Sequence, residues 1–154
     1  MPGDRTPIVI SLEPIGTVRT PIRTTQEAPS QGLKDDIRGT ISIRPEYEQG
    51  LQGIEAGDEL VVVWFADRAD RDLLVLDKVP GRGVFNSRSP ARPNPIVITT
   101  CTVTDVDGAT IGIRGVDMLD GSPVLDLKAT LHGDMKDADW DPRRESGQSA
   151  EGHE

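Results

Sequence analysis

Short apolar runs alternate with turn residues along this chain, and one of them, 96–103, alternates apolar and polar positions towards its end. Residues 8–12, 15–19, 37–43, 60–65, 73–79, 96–103, 110–114 and 124–128 are rich in Val, Ile, Leu and Thr and are bounded by Gly, Pro or Asp, so each reads as a strand. Asp107-Gly108, between two of these runs, is a two-residue hairpin signal. The best helix candidate is 46–55, which Gly50 and Gly53 weaken. No repeat with a period of about 20 to 50 residues is visible. Many short strands with turn punctuation and little helix predict an all-β fold, a single barrel or sandwich. The pattern places one domain at 8–140. Residues 1–7, polar with two prolines, and residues 141–154, without apolar periodicity, read as loose termini.

Composition narrows the picture. A chain of 154 residues fits one domain, and with only 3% aromatic residues its core has to be built from Val, Ile and Leu. Such a core leaves room for burial against a second copy, so a homodimer is expected. The net charge of −9 argues against a general nucleic-acid binder. Its distribution qualifies that: residues 68–92 carry six basic side chains (Arg68, Arg71, Lys78, Arg82, Arg88, Arg92) against three acidic ones, while residues 134–154 carry seven acidic against three basic. An acidic protein can still meet RNA through one basic face, with an affinity that salt weakens. The single cysteine, Cys101, excludes an internal disulfide and lies in an alternating run where a small buried thiol is expected. The first residues lack the apolar stretch of a signal peptide, and the longest apolar run, 60–66, is too short to span a bilayer. A cytoplasmic protein without membrane contact is the expectation.

The most informative stretch is Gly83-Val84-Phe85-Asn86-Ser87-Arg88-Ser89-Pro90-Ala91-Arg92-Pro93-Asn94-Pro95-Ile96. Each proline fixes its own φ and pushes its predecessor towards extended geometry, which predicts a stiff loop. Arg88 and Arg92 on such a backbone offer pre-set guanidinium forks for carboxylate or phosphate. The same spacing also allows two solvated arginines on a Pro-rich turn, or an arginine that ties the loop through backbone carbonyls. A second polar cluster gathers Asp117, Asp120, Asp126 and Asp134, with Asp120-Gly121-Ser122-Pro123 as a turn. Asp126 and Lys128, two residues apart on a strand, point to one face.

These blocks carry a resemblance. The 83–96 stretch is similar to the signature loop of the TsaA-like (YaeB, TrmO) family. Residues 115–128, Gly-Val-Asp-Met-Leu-Asp-Gly-Ser-Pro-Val-Leu-Asp-Leu-Lys, resemble its second block. Pro14-Ile15-Gly16-Thr17-Val18-Arg19-Thr20-Pro21 and Ala28-Pro29-Ser30-Gln31-Gly32 resemble its N-terminal segments in the same order. The resemblance spans residues 12–131 and implies a single TsaA-like β-barrel that uses S-adenosylmethionine as methyl donor. It further implies N6-methylation of threonylcarbamoyl-adenosine 37 of tRNA, which makes tRNA the expected partner. Pro29, Ser30, Gln31, Phe85, Arg88, Asp117, Met118, Leu119 and Asp120 are implied at the cofactor. Asp126 and Lys128 are implied as the catalytic pair, and Arg82, Arg92 and Asn94 as RNA contacts.

Several positions depart from the family pattern. Val97 replaces glycine, Ala129-Thr130 replaces Pro-Tyr, Glu59 stands where histidine is common, and Asp67-Arg68 replaces histidine and glutamine at a strand end. Asp67-Arg68-Ala69-Asp70-Arg71-Asp72 reads as a solvated charged turn. The C-terminal extension of longer bacterial members, associated with tRNA engagement, is not matched. The alternatives are therefore a methyltransferase acting on a small molecule or other RNA, and a non-catalytic S-adenosylmethionine- or nucleotide-binding module. Other chemistries find little support. His132 and His153 lie far apart and no Cys/His cluster has ligand spacing, so no metal is expected. There is no GxGxxG between a strand and a helix, no P-loop and no nucleophile elbow.

Overall fold

The computed structural model describes residues 6–24, 37–77 and 81–130. Six antiparallel strands, β1 (Gly16–Arg19), β2 (Arg38–Ile43), β3 (Glu59–Phe65), β4 (Ile96–Asp107), β5 (Thr110–Arg114) and β6 (Pro123–Ala129), close a barrel in the order β1-β2-β5-β4-β3-β6. Alternation sets the inner face: Leu60, Val62 and Trp64 of β3 point inward, as do Cys101 and Val103 of β4 and Ile111 and Ile113 of β5. With Val18, Ile41, Ile43 and Val124 they form the aliphatic core that the composition predicts. Cys101 is buried and its thiol donates to the Gly115 carbonyl at 3.7 Å, the quiet packing role expected of it. β1 and β2 approach so closely that a Cβ on Gly16 would meet the Ser42 carbonyl oxygen at 2.4 Å, and one on Gly39 the Arg19 carbonyl oxygen at 2.6 Å.

The β3–β6 register shifts between Val63 and Trp64, so that Val63 faces Asp126 and Trp64 faces Val124. Leu125 is thus the extra residue of a bulge. By simple alternation Asp126 would share the inward face of Val124. The bulge turns it outward with Val63, and carries Lys128 outward with Val61. One residue of slip therefore decides which face these two charges occupy.

Four expectations are corrected. Residues 8–12 form no strand; Ile8 is 88% exposed and Ile10 77%. A closed barrel has no free edge for them to join. Within 73–79 only Val75 pairs, in an isolated bridge to Gly83, and residues 78–79 lie outside the described set. The helix predicted over 46–55 is a 3₁₀ helix, Pro45–Leu51, which begins on a proline and ends before Gly53, whose φ is +92°. The hairpin turns one residue later than predicted, at Gly108-Ala109, because Asp107 still pairs with Thr110. Gly108 has φ +60° at the first central position, as a type II′ turn requires.

Candidate functional site

The ends of β3 and β5 and the starts of β4 and β6 meet at one end of the barrel, where three loops enclose a cavity of about 460 Å³. Its walls come from Trp64 and Ala66 at the end of β3, the turn at 67–70, Ser89, Pro90 and Ala91 of the proline-rich loop, and Asp117, Leu119 and Ser122 of the β5–β6 loop. The walls are mostly apolar with a few charged groups, the usual make-up of a small-molecule site.

The β5–β6 loop lies across the barrel mouth because its polar groups are tied down. The Asp120 N–H donates to the Ile22 carbonyl at 2.7 Å and the Gly121 N–H to the Val18 carbonyl at 2.8 Å. The Asp120 carboxylate accepts the Thr20 N–H at 3.1 Å, and the Thr20 hydroxyl donates to the Met118 carbonyl at 3.0 Å. Gly121, with φ +86°, makes the turn that other residues resist. An alternation follows: Asp117 and Leu119 line the cavity, while the Met118 side chain is fully buried in the core and Asp120 braces the loop. Of the four loop residues that the resemblance places at the cofactor, two reach the cavity and two build its support.

Asp117 is held from behind. The Trp64 indole N–H donates to the Thr99 hydroxyl at 3.0 Å, and that hydroxyl donates to Asp117 Oδ1 at 2.8 Å. Trp64 and Thr99 are 6% and 3% exposed, so the first bond is buried, and the second is part-buried, reaching Asp117 at the cavity wall. Beyond the end of β3, Arg68 donates to the Asp120 carbonyl at 2.9 Å and sits 3.5 Å from Asp67. It is the cation lining the cavity among the described residues. The 67–72 turn is less solvated than its density of charge suggests: Arg68 turns back to the β5–β6 loop, and Arg71 donates to the Pro93 carbonyl at 2.8 Å. Thr99 carried no signal beyond an inward-facing polar residue in an apolar alternation.

The proline-rich loop is as ordered as predicted, although hydrogen bonds do as much as the prolines. Val84–Asn86 is a 3₁₀ turn. The Ser87 hydroxyl donates to the Val84 carbonyl at 2.9 Å, the Ser89 N–H to Ser87 Oγ at 3.2 Å and the Ala91 N–H to Ser89 Oγ at 3.2 Å. Arg92 Nη2 donates to the carbonyls of Val84 and Ser87, the latter at 2.7 Å. Arg92 is therefore the arginine that ties the loop, a use different from the RNA contact the resemblance implies. Arg88 is exposed, lies outside the cavity walls and has no side-chain partner among the described residues. Phe85 is 79% exposed, neither core nor cavity wall. Arg82 and Asn94 are exposed as well, Asn94 accepting from Arg71 at 3.3 Å. Pro29, Ser30 and Gln31 lie outside the described residues, as do His132 and Asp134.

Asp126 and Lys128 form an outward ion pair at 2.9 Å. Asp126 lines a separate depression with Tyr47 and Leu51, so the structure does not bring the pair to the cavity that Asp117 faces. The hydrogen bond and charge of Asp126 raise the Lys128 pKa above its usual 10.5. Lys128 therefore stays an ammonium at neutral pH and above. Among the described residues there is no group of three or more side chains suited to a metal, and no helix long and apolar enough to cross a membrane.

Residues 17–133 match the family model described as the tRNA-methyltransferase O N-terminal domain. A probable S-adenosyl-L-methionine-binding protein of Halobacterium salinarum is 49% identical over 120 residues, covering 77% of this chain and 96% of that one. A tRNA (adenine(37)-N6)-methyltransferase of Mus musculus is 52% identical over 101 residues, covering 60% of this chain but 22% of its own length. The crystal structure of TrmO from Pseudomonas aeruginosa superposes with a TM-score of 0.69 at 28% identity, over 87% of this chain and 61% of that one. This chain thus spans about three fifths of that solved TrmO, whereas it matches the archaeal protein almost end to end. The barrel, the two signature loops that form the cavity and the match across residues 17–133 agree: the chain belongs to the TrmO N-terminal domain family.

Proposed function

We propose that the protein is an S-adenosylmethionine-dependent methyltransferase that N6-methylates threonylcarbamoyl-adenosine 37 of tRNA. The observation that carries this reading is the cavity at the barrel mouth, built by the two loops that resemble the family's signature. Its residues fit the donor. Trp64, Pro90, Ala91 and Leu119 offer apolar walls to an adenine ring, Asp117 an acceptor for hydroxyl or ammonium groups, and Arg68 a fork for a carboxylate. When bound, S-adenosylmethionine supplies an already activated sulfonium methyl. The chain's own task is then to fix the donor's orientation, exclude water and handle one acceptor proton.

Arg68 takes the carboxylate role that the resemblance implies for Arg88, because Arg68 lines the cavity and Arg88 does not. Arg82, Phe85 and Arg88, all exposed on the segment leading to the Ser89–Ala91 wall, are assigned to the RNA: two cations for phosphates and an aromatic face for a base. Asp126 and Lys128 are assigned to the acceptor side, on the outer face of β6. The cationic Lys128 faces the anionic acceptor, and the 2.9 Å ion pair with Asp126 holds its ammonium in place. Ile96 and Ile98, alternate exposed positions of β4, and the exposed 8–12 segment are assigned to a homodimer contact.

Transfer of labelled methyl from S-adenosylmethionine into unfractionated tRNA tests the reading, with digestion to nucleosides locating the label. Label in threonylcarbamoyl-adenosine is expected, with binding that weakens steeply as salt rises. Donor binding without incorporation into any RNA would favour the second reading, a binding module, which the name of the archaeal relative keeps in view. Asp126→Asn is expected to leave donor affinity unchanged and to lower turnover. Unchanged turnover would reduce the pair to a surface contact, the ordinary fate of exposed ion pairs.

A further inference from the structure

The direction of the Trp64–Thr99–Asp117 chain is fixed by chemistry. An indole nitrogen can only donate, so the Thr99 oxygen accepts from Trp64 at 3.0 Å. The hydroxyl has one proton, and the 2.8 Å contact to Asp117 Oδ1 uses it. The carboxylate is thereby held at one oxygen from inside the barrel. Its other oxygen has no hydrogen-bond partner among the described residues, and Asp117 lines the cavity. A buried threonine in an aliphatic barrel is otherwise unfavourable, since a hydroxyl without partners is disfavoured there. Here both its donor and its acceptor capacity are used, on a rigid pair of adjacent strands, β3 and β4.

We infer that Thr99 is a positioning residue: with Trp64 behind it, it locks the rotamer of Asp117 so that one carboxylate oxygen is presented to a hydrogen-bond donor in the cavity. The inference rests on the proposed function for the identity of that ligand, but the relay itself is a property of the free protein. Its consequence is that Asp117 does not need to be ordered by the ligand. Polarisation runs along the chain, because the indole N–H strengthens the hydroxyl as a donor to the carboxylate.

Two measurements separate the relay from the ligand assignment. In the free protein, the indole N–H resonance of Trp64, assigned with Trp64→Phe, is expected to shift on Asp117→Asn, and this shift should vanish in a Thr99→Val background. An Asp117→Asn shift that persists in Thr99→Val, or no shift in either background, overturns the relay. Affinity for S-adenosylhomocysteine is then compared across the same variants. Thr99→Val is expected to bind about five- to tenfold more weakly, the scale of one charge-assisted hydrogen bond. Thr99→Ser should restore most of the affinity, and Thr99→Val should add less than about twofold in an Asp117→Asn protein. A folded Thr99→Val that binds like the parent, or full additivity with Asp117→Asn, overturns the positioning role. Failure of the parent itself to bind S-adenosylhomocysteine would refute the ligand assignment and leave the resonance result to decide the relay alone.

Discussion

Arg92→Ala is expected to lower stability by about 2 to 4 kcal/mol, whereas Arg88→Ala, four residues earlier in the same loop, should change it by less than about 0.5 kcal/mol. The difference follows from what each guanidinium touches. Arg92 Nη2 bonds two loop carbonyls, those of Val84 and Ser87, and alanine would leave both without that donor. Arg88 is exposed and has no such partner. Val84 is 1% exposed and anchors the loop in the core, so loosening its carbonyl also loosens the Ser89–Ala91 wall of the cavity. Thermal denaturation of the two variants beside the parent checks this. Equal midpoints for Arg92→Ala and the parent would show that the serine bonds alone order the loop. The Nε of Arg92 is buried without a partner among the described residues. Alanine and methionine both remove that orphaned donor, but Arg92→Met keeps an apolar stem in the space the arginine stem fills and should be milder than Arg92→Ala.

The second large effect is on recognition. Arg68→Ala should reduce affinity for S-adenosylhomocysteine about 10- to 100-fold while changing affinity for 5′-methylthioadenosine, which lacks the carboxylate and ammonium, by far less. The comparison is needed because Arg68 also braces the Asp120 carbonyl, so part of any loss could come from a looser loop. A loosened loop would weaken both ligands, and a lost carboxylate contact only the first. Arg88→Ala is expected to leave the preference between the two ligands intact. If Arg88→Ala erased the preference and Arg68→Ala did not, the two arginines would have to exchange roles. The side chain of Arg68 is 47% exposed, which places its effect at the lower end for charge-assisted contacts.

The barrel was legible where alternation and burial coincide. Ile111 and Ile113 alternate with Thr110, Gly112 and Arg114 and both point inward, so 110–114 forms the strand its pattern predicts, whereas 60–65 is apolar throughout and only the fold shows that Leu60, Val62 and Trp64 face in. Residues 8–12 carry as strong a strand pattern, yet barrel closure, a property of the whole sheet, leaves them no partner. Local pattern also missed the bulge at Leu125, which sets the face of Asp126 and Lys128. The resemblance pointed to two of the three loops that line the cavity but not to which residues within them face it. Met118 and Asp120 alternate with Asp117 and Leu119, and only the path of the loop across Val18 and Ile22 decides which pair is inside. Arg68 and Thr99 were invisible for opposite reasons: one lies in a crowd of charges, the other among ordinary strand threonines. Both acquire their roles from neighbours far away in sequence, Asp120 and Asp117.

The central claim is that the barrel-mouth cavity holds the methyl donor, and calorimetric titration of the purified protein with S-adenosylmethionine tests it most directly. Saturable binding of one molecule per chain at micromolar or tighter affinity is the predicted result. A titration without saturable heat, repeated at a second temperature so that an enthalpy near zero cannot mask binding, would contradict it.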